Sequence, residues 1–317
     1  VDEQARIAML ARLLGRSAQG VGVEVAIGDD AAVLASAAGR SDGERIVWTI
    51  DEQVEGTHFL RGLLTLRDVG WRSFMAAVSD VAAMGARPWC ALSALVLPDD
   101  VDDAALEELV RGQAVASEEA RAQVVGGNLA RGPALSIATT VLGWTGRPIL
   151  RSGARAGDGL WLAGPVGLAA AGLRALEQGM TGDPSLAPAI GAWRTPRALV
   201  DAGLAMGKVA HAAVDVSDGL ARDAGHVAGA SKVRLILDEA AFLGDAPLQD
   251  AALAVGANPL DLALHGGEDY ALLAASPVPI EGFRRVGEVV EGRGLALRGA
   301  RGETEIEPRG YDHFPLQ

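Results

Sequence analysis

The chain has 317 residues, 49% of them hydrophobic, which excludes a disordered polymer and is enough for two domains. Lys and Arg total 28 against 41 Asp and Glu, a formal charge of -13, so neither nucleic acid nor an anionic membrane is the expected partner; cations are. The single cysteine, Cys90, excludes an intrachain disulfide, and no apolar run approaches the roughly 20 residues that cross a bilayer.

In chain order, "VDEQARIAMLARLLG" carries charges through an amphipathic helical pattern unlike a signal or transit peptide, so a cytoplasmic protein is expected. "VGVEVAIG" and "RIVWTIDEQV" read as short β-branched strands, with carboxylates at their exits. From Leu66 to Met84, apolar residues at helical spacing end at Gly85 and Pro88, which puts Asp80 on a helix. "WCALSALVLP" is a strand with Cys90 as an inert core residue, and "VDDAALEELVRGQAVASEEA" is an acid-capped helix. "AQVVGGNLARGPALSIATTVLGW" reads as two strands around a glycine turn, and the polar, glycine-rich stretch from 147 to 158 separates two domains, 1–148 and 149–317. The fold class is α+β.

Three segments share one grammar. "AIGDDAAVLA" places Asp29 and Asp30 after a glycine, "DVSDGLARDAGH" ends an apolar approach on Asp215 and adds Ser217 and Asp218, and "HGGEDYALL" sets Glu268 and Asp269 after two glycines. Each has an ordinary reading as a turn or helix cap. Carboxylates in apolar runs are costly unless a cation or donor meets them, and dispersed aspartates suit magnesium-held phosphate better than a protein cage. The spaced acidic loop of calcium sites, the Walker loop and G-x-G-x-x-G after a strand do not occur. "VVGGN" offers backbone N–H groups to phosphate, and Arg151 is either a phosphate contact or a solvated linker residue. The five histidines have no metal-binding spacing; His58 and His313 each adjoin a phenylalanine, which suits an aromatic substrate pocket and equally a core.

Taken together, "IGDDAAVL", "DEQVEGTHF", "SDVAAMGARP", "GGN", "RSGARAGD", "RTPR", "DVSDGLARD", "GGEDY" and "GYDHF" resemble the thiamine-monophosphate kinase family, in family order and along nearly the whole chain. The resemblance implies a two-domain fold like that of aminoimidazole ribonucleotide synthetase, with N-terminal sheets of two subunits pairing into a barrel in a homodimer. It implies transfer of the γ-phosphoryl of ATP, with Mg2+, to thiamine monophosphate. By position, Asp30, Asp51, Asp80, Asp215 and Asp218 match metal ligands, Gly127, Asn128, Arg151 and Ser217 fall on the nucleotide side, and His58, Glu268 and Phe314 match the substrate side.

Four positions depart from the family pattern: Ile50 for Thr, Glu52 for Thr or Met, Ala77 for Asn, and Asn128 for Asp. In the family the replaced Thr and Asp serve one magnesium, and isoleucine cannot ligate a metal. If residues 49 to 52 are extended, Glu52 shares the face of Ile50 and offers a carboxylate; a solvated Glu52 is the other reading. A kinase with an altered metal set, a non-catalytic nucleotide or thiamine-phosphate binder, and a related ATP-dependent enzyme with another substrate therefore all stay open.

Overall fold

The computed structural model describes residues 23–25, 29–35 and 43–312. The expected N-terminal helix, His313 and Phe314 lie outside the described residues. The architecture is α+β, built on two sheets. The first has six strands in the order β1-β2-β3-β6-β4-β5: β1 (Val23–Val25), β2 (Ala32–Ala35), β3 (Arg45–Val54), β4 (Arg87–Leu97), β5 (Gln123–Arg131) and β6 (Ser136–Thr145). Its pairs are antiparallel except β4 with β5, which run parallel through the crossover helix α2 (Asp103–Ala120).

Helix α1 (Leu66–Ala83) starts at a reciprocal cap in which Asp68 N–H donates to Thr65 Oγ1 and Thr65 N–H to the Asp68 carboxylate. Its neighbours leave no room for a side chain at two crossings. A Cβ at Gly70 would lie 1.9 Å from Leu109 O, and one at Gly112 would lie 2.0 Å from Arg67 O, so glycines set how closely α1 and α2 approach. Val33, Val47, Phe74, Val78, Val81 and Val141 form the core between α1 and the first sheet.

The second sheet has seven strands in the order β13-β12-β9-β11-β7-β10-β8: β7 (Gly159–Ala163), β8 (Ala212–Val216), β9 (Arg234–Asp238), β10 (Ala271–Ser276), β11 (Arg284–Val290), β12 (Gly294–Gly299) and β13 (Gly302–Glu305). Against it pack α3 (Leu168–Glu177), α4 (Ala187–Arg194) and, beyond α5 (Val200–Met206), α6 (Leu220–Ser231). Further along come α7 (Ala240–Leu243), α8 (Ala246–Ala254) and α9 (Pro259–His265). Leu160, Leu162, Val214, Val216, Leu235 and Leu273 supply the sheet side of this larger core. Gly203 of α5 lies against the end of α1, where an added Cβ would sit 2.3 Å from Ala82 O. α1 therefore faces both sheets.

Several expectations are corrected. Asp51 lies within β3, not at a strand exit, whereas Asp215 stands at the penultimate position of β8, just before the turn into α6, as expected. "VVGGN" is not a turn but part of β5, an edge strand exposed along its whole length. Gly127 is needed there because a Cβ would meet Ser93 O at 1.8 Å. Cys90 is only partly buried, beside an irregular β4 register between Pro88 and Cys90. The other face of the first sheet is open and apolar: Trp48 is 48% exposed, Ile50 66%, Trp89 49% and Leu92 46%.

Candidate active site

Alternation along β3 sorts its residues. Thr49, Asp51 and Gln53 point inward, while Trp48, Ile50 and Glu52 are exposed on the open face. Inward, the start of β2, α1 and β8 converge: Asp30, Asp80 and Asp215 each bring a carboxylate oxygen within 4.8 Å of the others. Thr49 Oγ1 donates to Asp80 Oδ2 at 2.6 Å, and Ser79 Oγ donates to Asp215 Oδ2 at 2.7 Å. Two hydroxyls so aim the carboxylates from adjoining elements.

The electrostatics are those of a site short of positive charge. Burial, then Asp30, pushes the Asp215 carboxyl up to about 7. Burial, then Asp215, Asp30 and Asp51, holds the Asp80 carboxyl well above the usual carboxylate range. Burial also raises Asp30, against the opposing pull of the Arg151 guanidinium, which donates to Asp30 Oδ1 from Nε at 3.0 Å and from Nη2 at 2.5 Å. The Arg151 N–H donates to Asp29 Oδ2 at 3.1 Å, and burial raises the Asp29 carboxyl to about 6. Asp30 Oδ2 is buried without a hydrogen-bond partner. An all-oxygen set with an orphaned carboxylate oxygen fits a hard divalent cation such as Mg2+.

A cleft of about 490 Å³ opens beside this cluster, lined among others by Asp51, His58, Trp193, Ser217, Asp218 and Glu268. The structure thus brings the expected metal-side residues Asp51 and Asp218 to one cavity with the substrate-side residues His58 and Glu268. The His58 Nδ1 accepts from Val54 N–H at 3.0 Å, which fixes its ring. α6 has no side-chain cap, from Asp218 or otherwise; Asp223, in its first turn, instead ties down the preceding loop, accepting from the N–H groups of Ser217, Asp218 and Gly219 at 3.1 to 3.2 Å. Asp218, Asp223 and His226 form a second close group, and burial, then Arg151 and Arg222, lowers His226 to about 4, leaving its imidazole neutral near pH 7.

Gly127 and Asn128 are not brought to this cluster within the chain. Asn128 pairs with Ala94, Ala94 with Ala138, and Ala138 with Glu52, so β6 and β4 separate Asn128 from β3. At the usual strand spacing that is about 14 Å. Ile50 and Glu52 do share a face, but it is the open one, and Glu52 Oε1 accepts from Ser136 Oγ at 2.7 Å. Ala77 is fully buried in the core of α1.

Sequence reasoning missed Thr49, Gln53, Arg72, Ser79, Trp193 and Asp223. The alternation of β3 was the available signal for Thr49 and Gln53, since both are two residues from Asp51. For Arg72 and Trp193 no local pattern exists; their roles depend on contacts between distant segments.

Residues 28–145 match the family described as AIR synthase related protein, N-terminal domain. The thiamine-monophosphate kinase of Aquifex aeolicus is 35% identical over 294 residues, covering 91% of this chain and 92% of its own. That of Rhodopirellula baltica is 34% identical over 327 residues, covering 96% of each. The solved structure described as AaThiL complexed with AMPPCP and TMP superposes with a TM-score of 0.88 at 32% identity, covering 99% of this chain and 97% of that one. With likeness of this extent along nearly its whole length, the chain belongs to the thiamine-monophosphate kinase family.

Proposed function

We propose that this protein transfers the γ-phosphoryl of ATP to thiamine monophosphate, giving thiamine diphosphate and ADP, in a reaction that depends on Mg2+. The observation that carries the reading is the junction of the Asp30, Asp80 and Asp215 cluster with a cleft walled by His58, Trp193 and Glu268. The cleft offers an aromatic wall and a carboxylate to an aminopyrimidine, and the acidic end faces where phosphates would lie. A solved relative described as holding AMPPCP and TMP supports the same pairing of ligands.

Asp30, Asp80 and Asp215, with Asp51 and Asp218 at the cleft wall, are the residues that would hold Mg2+. When bound, the ion neutralises phosphate oxygens, each pair of opposed charges otherwise costing about 1 kcal/mol at 4 Å in water and more in a cleft. The chain's own contribution is positioning: Ser217 and Arg151 border the nucleotide side, Glu268 and His58 orient the acceptor, and no covalent enzyme intermediate is needed.

The division into domains 1–148 and 149–317 is supported by the sheets, whose strands end at Thr145 and resume at Gly159. The open apolar face of the first sheet and the edge strand β5 support a homodimer closed through that face, bringing Gly127 and Asn128 of one copy toward the other. Use of ATP supports a cytoplasmic location. Among the described residues no helix is long and apolar enough to cross a membrane. Incubation with ATP, Mg2+ and thiamine monophosphate should yield thiamine diphosphate by chromatography; tight ligand binding without product at high enzyme concentration would mark a non-catalytic binder instead.

A further inference from the structure

Arg72 is the most thoroughly buried cation among the described residues, with no exposed surface, in the middle of α1. A guanidinium in that position must satisfy its donors internally. Its Nη1 donates to Trp193 O at 2.6 Å, its Nη2 donates to the Glu268 carboxylate, and its Nε reaches Gln53 Oε1 at 3.5 Å. The plane also lies over the Trp193 indole, 4.9 Å from the ring centroid. Three of these partners, Gln53, Trp193 and Glu268, line the cleft, but Arg72 itself does not.

The Glu268 backbone explains why such a clamp is useful. Glu268 has φ +63° and Tyr270 has φ +49°, left-handed conformations that are uncommon outside glycine. They are held by Glu268 N–H donating to Ser217 O at 2.7 Å and Tyr270 N–H to Val216 O at 2.8 Å. Those bonds fix the main chain and leave the side chain to be aimed. On the opposite side, Gln53 Nε2 donates to Asp51 Oδ1 at 3.2 Å, so one path of contacts runs from Asp51 through Gln53 and Arg72 to Glu268.

We infer that Arg72 is a positioning residue for the acceptor end of the cleft, setting the Glu268 carboxylate and the Trp193 wall at the geometry that receives the heterocyclic part of the substrate. This rests on the thiamine monophosphate reading given above. A fork is required because the two guanidinium nitrogens address two different walls at once, a task a single ammonium cannot reproduce. Arg72 itself bonds neither Arg151 nor Ser217 and reaches Ser217 only through the fixed Glu268 main chain, so changing it acts chiefly on the acceptor substrate.

The experiment compares the parent with Arg72→Lys, Arg72→Met, Glu268→Gln and the double variant Arg72→Met with Glu268→Gln, using calorimetric binding of thiamine monophosphate, separate KM values for both substrates, and melting temperature. The expected result is a rise of about tenfold or more in Kd and KM for thiamine monophosphate in Arg72→Lys, with ATP affinity within about twofold, and a double variant no worse than the weaker single. Equal loss of affinity for both substrates would reduce Arg72 to a structural residue. Unchanged affinity for thiamine monophosphate in folded Arg72→Lys, or additive single effects, would overturn the inference. Should the Arg72 variants fail to fold, Glu268→Gln decides: it strands a buried guanidinium, so its melting temperature should fall although Glu268 is itself partly exposed, and an unchanged one would overturn the clamp. A parent that binds no thiamine monophosphate yet shows that destabilisation would retain the clamp and reject the substrate reading.

Discussion

The two faces of β3 differ in everything but backbone. Thr49, Asp51 and Gln53 face inward, where Thr49 bonds Asp80, and Gln53 bonds Asp51 and meets Arg72; Trp48, Ile50 and Glu52 look outward from the first sheet. The residues that depart from the family pattern on the sheet, Ile50, Glu52 and Asn128, all fall on the outward side, whereas the inward carboxylates are complete. A substitution one position along a strand therefore changes a different surface. The inward face meets the buried carboxylates; the outward face is exposed and largely apolar.

The sharpest way to break this division is Asp215→Asn, an isosteric loss of charge in the cluster. Turnover should fall about a hundredfold or more, because a preorganised charge at the reacting phosphates is removed. The metal-free protein should respond in the opposite direction. Burial places the folded Asp215 carboxyl at about 7, above its unfolded value, so its contribution to stability is complete below the unfolded value and is lost as pH rises through about 7. The parent without Mg2+ should thus melt higher at pH 5.5 than at pH 8, and Asp215→Asn should melt above the parent at pH 8. Calorimetric scans at both pH values check the sign; a variant inactive and less stable at pH 8 would point to damage to the fold.

The outward face is tested by Trp48→Asp combined with Leu92→Asp. Light scattering should show a dimer for the parent and a monomer for the variant, since two charges enter an exposed apolar patch. An unchanged mass would show that association uses another surface. A smaller effect is expected from Arg151→Met. Its guanidinium now neutralises Asp30, so Mn2+ alone should bind more tightly to the variant while ATP binds about tenfold more weakly. Loss of both affinities together would contradict the shared use of Arg151.

The smallest effects concern the departures themselves. Ile50 and Asn128 are too far apart within one chain to act on one ion, but they face the same open side. Ile50→Thr and Asn128→Asp should be coupled in the dimer and additive within about 0.5 kcal/mol in the Trp48→Asp, Leu92→Asp monomer, as a double-mutant cycle on Mg2+ dependence would show. Glu52→Gln should alter activity less than about twofold, because its carboxylate is already bonded to Ser136 and points away from the cluster. A strong loss in Glu52→Gln would move a metal ligand to the outward face.

The acidic grammar was legible in the sequence because aspartate in an apolar run has few cheap explanations, and Asp30, Asp80 and Asp215 do meet. Their exact setting was harder to read. Asp51 looks like a strand end beside polar neighbours, yet it lies inside β3, which pairs along its whole length with β6, a strand more than eighty residues away in the chain. The glycines of "VVGGN" suggested a turn, because glycine frees the backbone; here Gly127 serves close approach to Ser93 O in a parallel pair, a reason invisible without the neighbouring strand. The α+β class followed from the alternation of helical and strand patterns, while the particular architecture followed only from the family resemblance. Arg72 did not: an arginine one turn after Arg67 and Asp68 looks like a solvated or snorkelling side chain until Trp193 and Glu268 arrive from more than a hundred residues away.

The central claim is that the inward cluster and the cleft beside it perform one phosphoryl transfer. Phosphorus NMR of the parent with ATP, Mg2+ and thiamine monophosphate follows every phosphorus atom in that reaction. The account predicts ADP and thiamine diphosphate appearing in equal amounts, with inorganic phosphate at background and Asp215→Asn silent. ADP accompanied by inorganic phosphate and unchanged thiamine monophosphate, or no consumption of ATP at all, would contradict it.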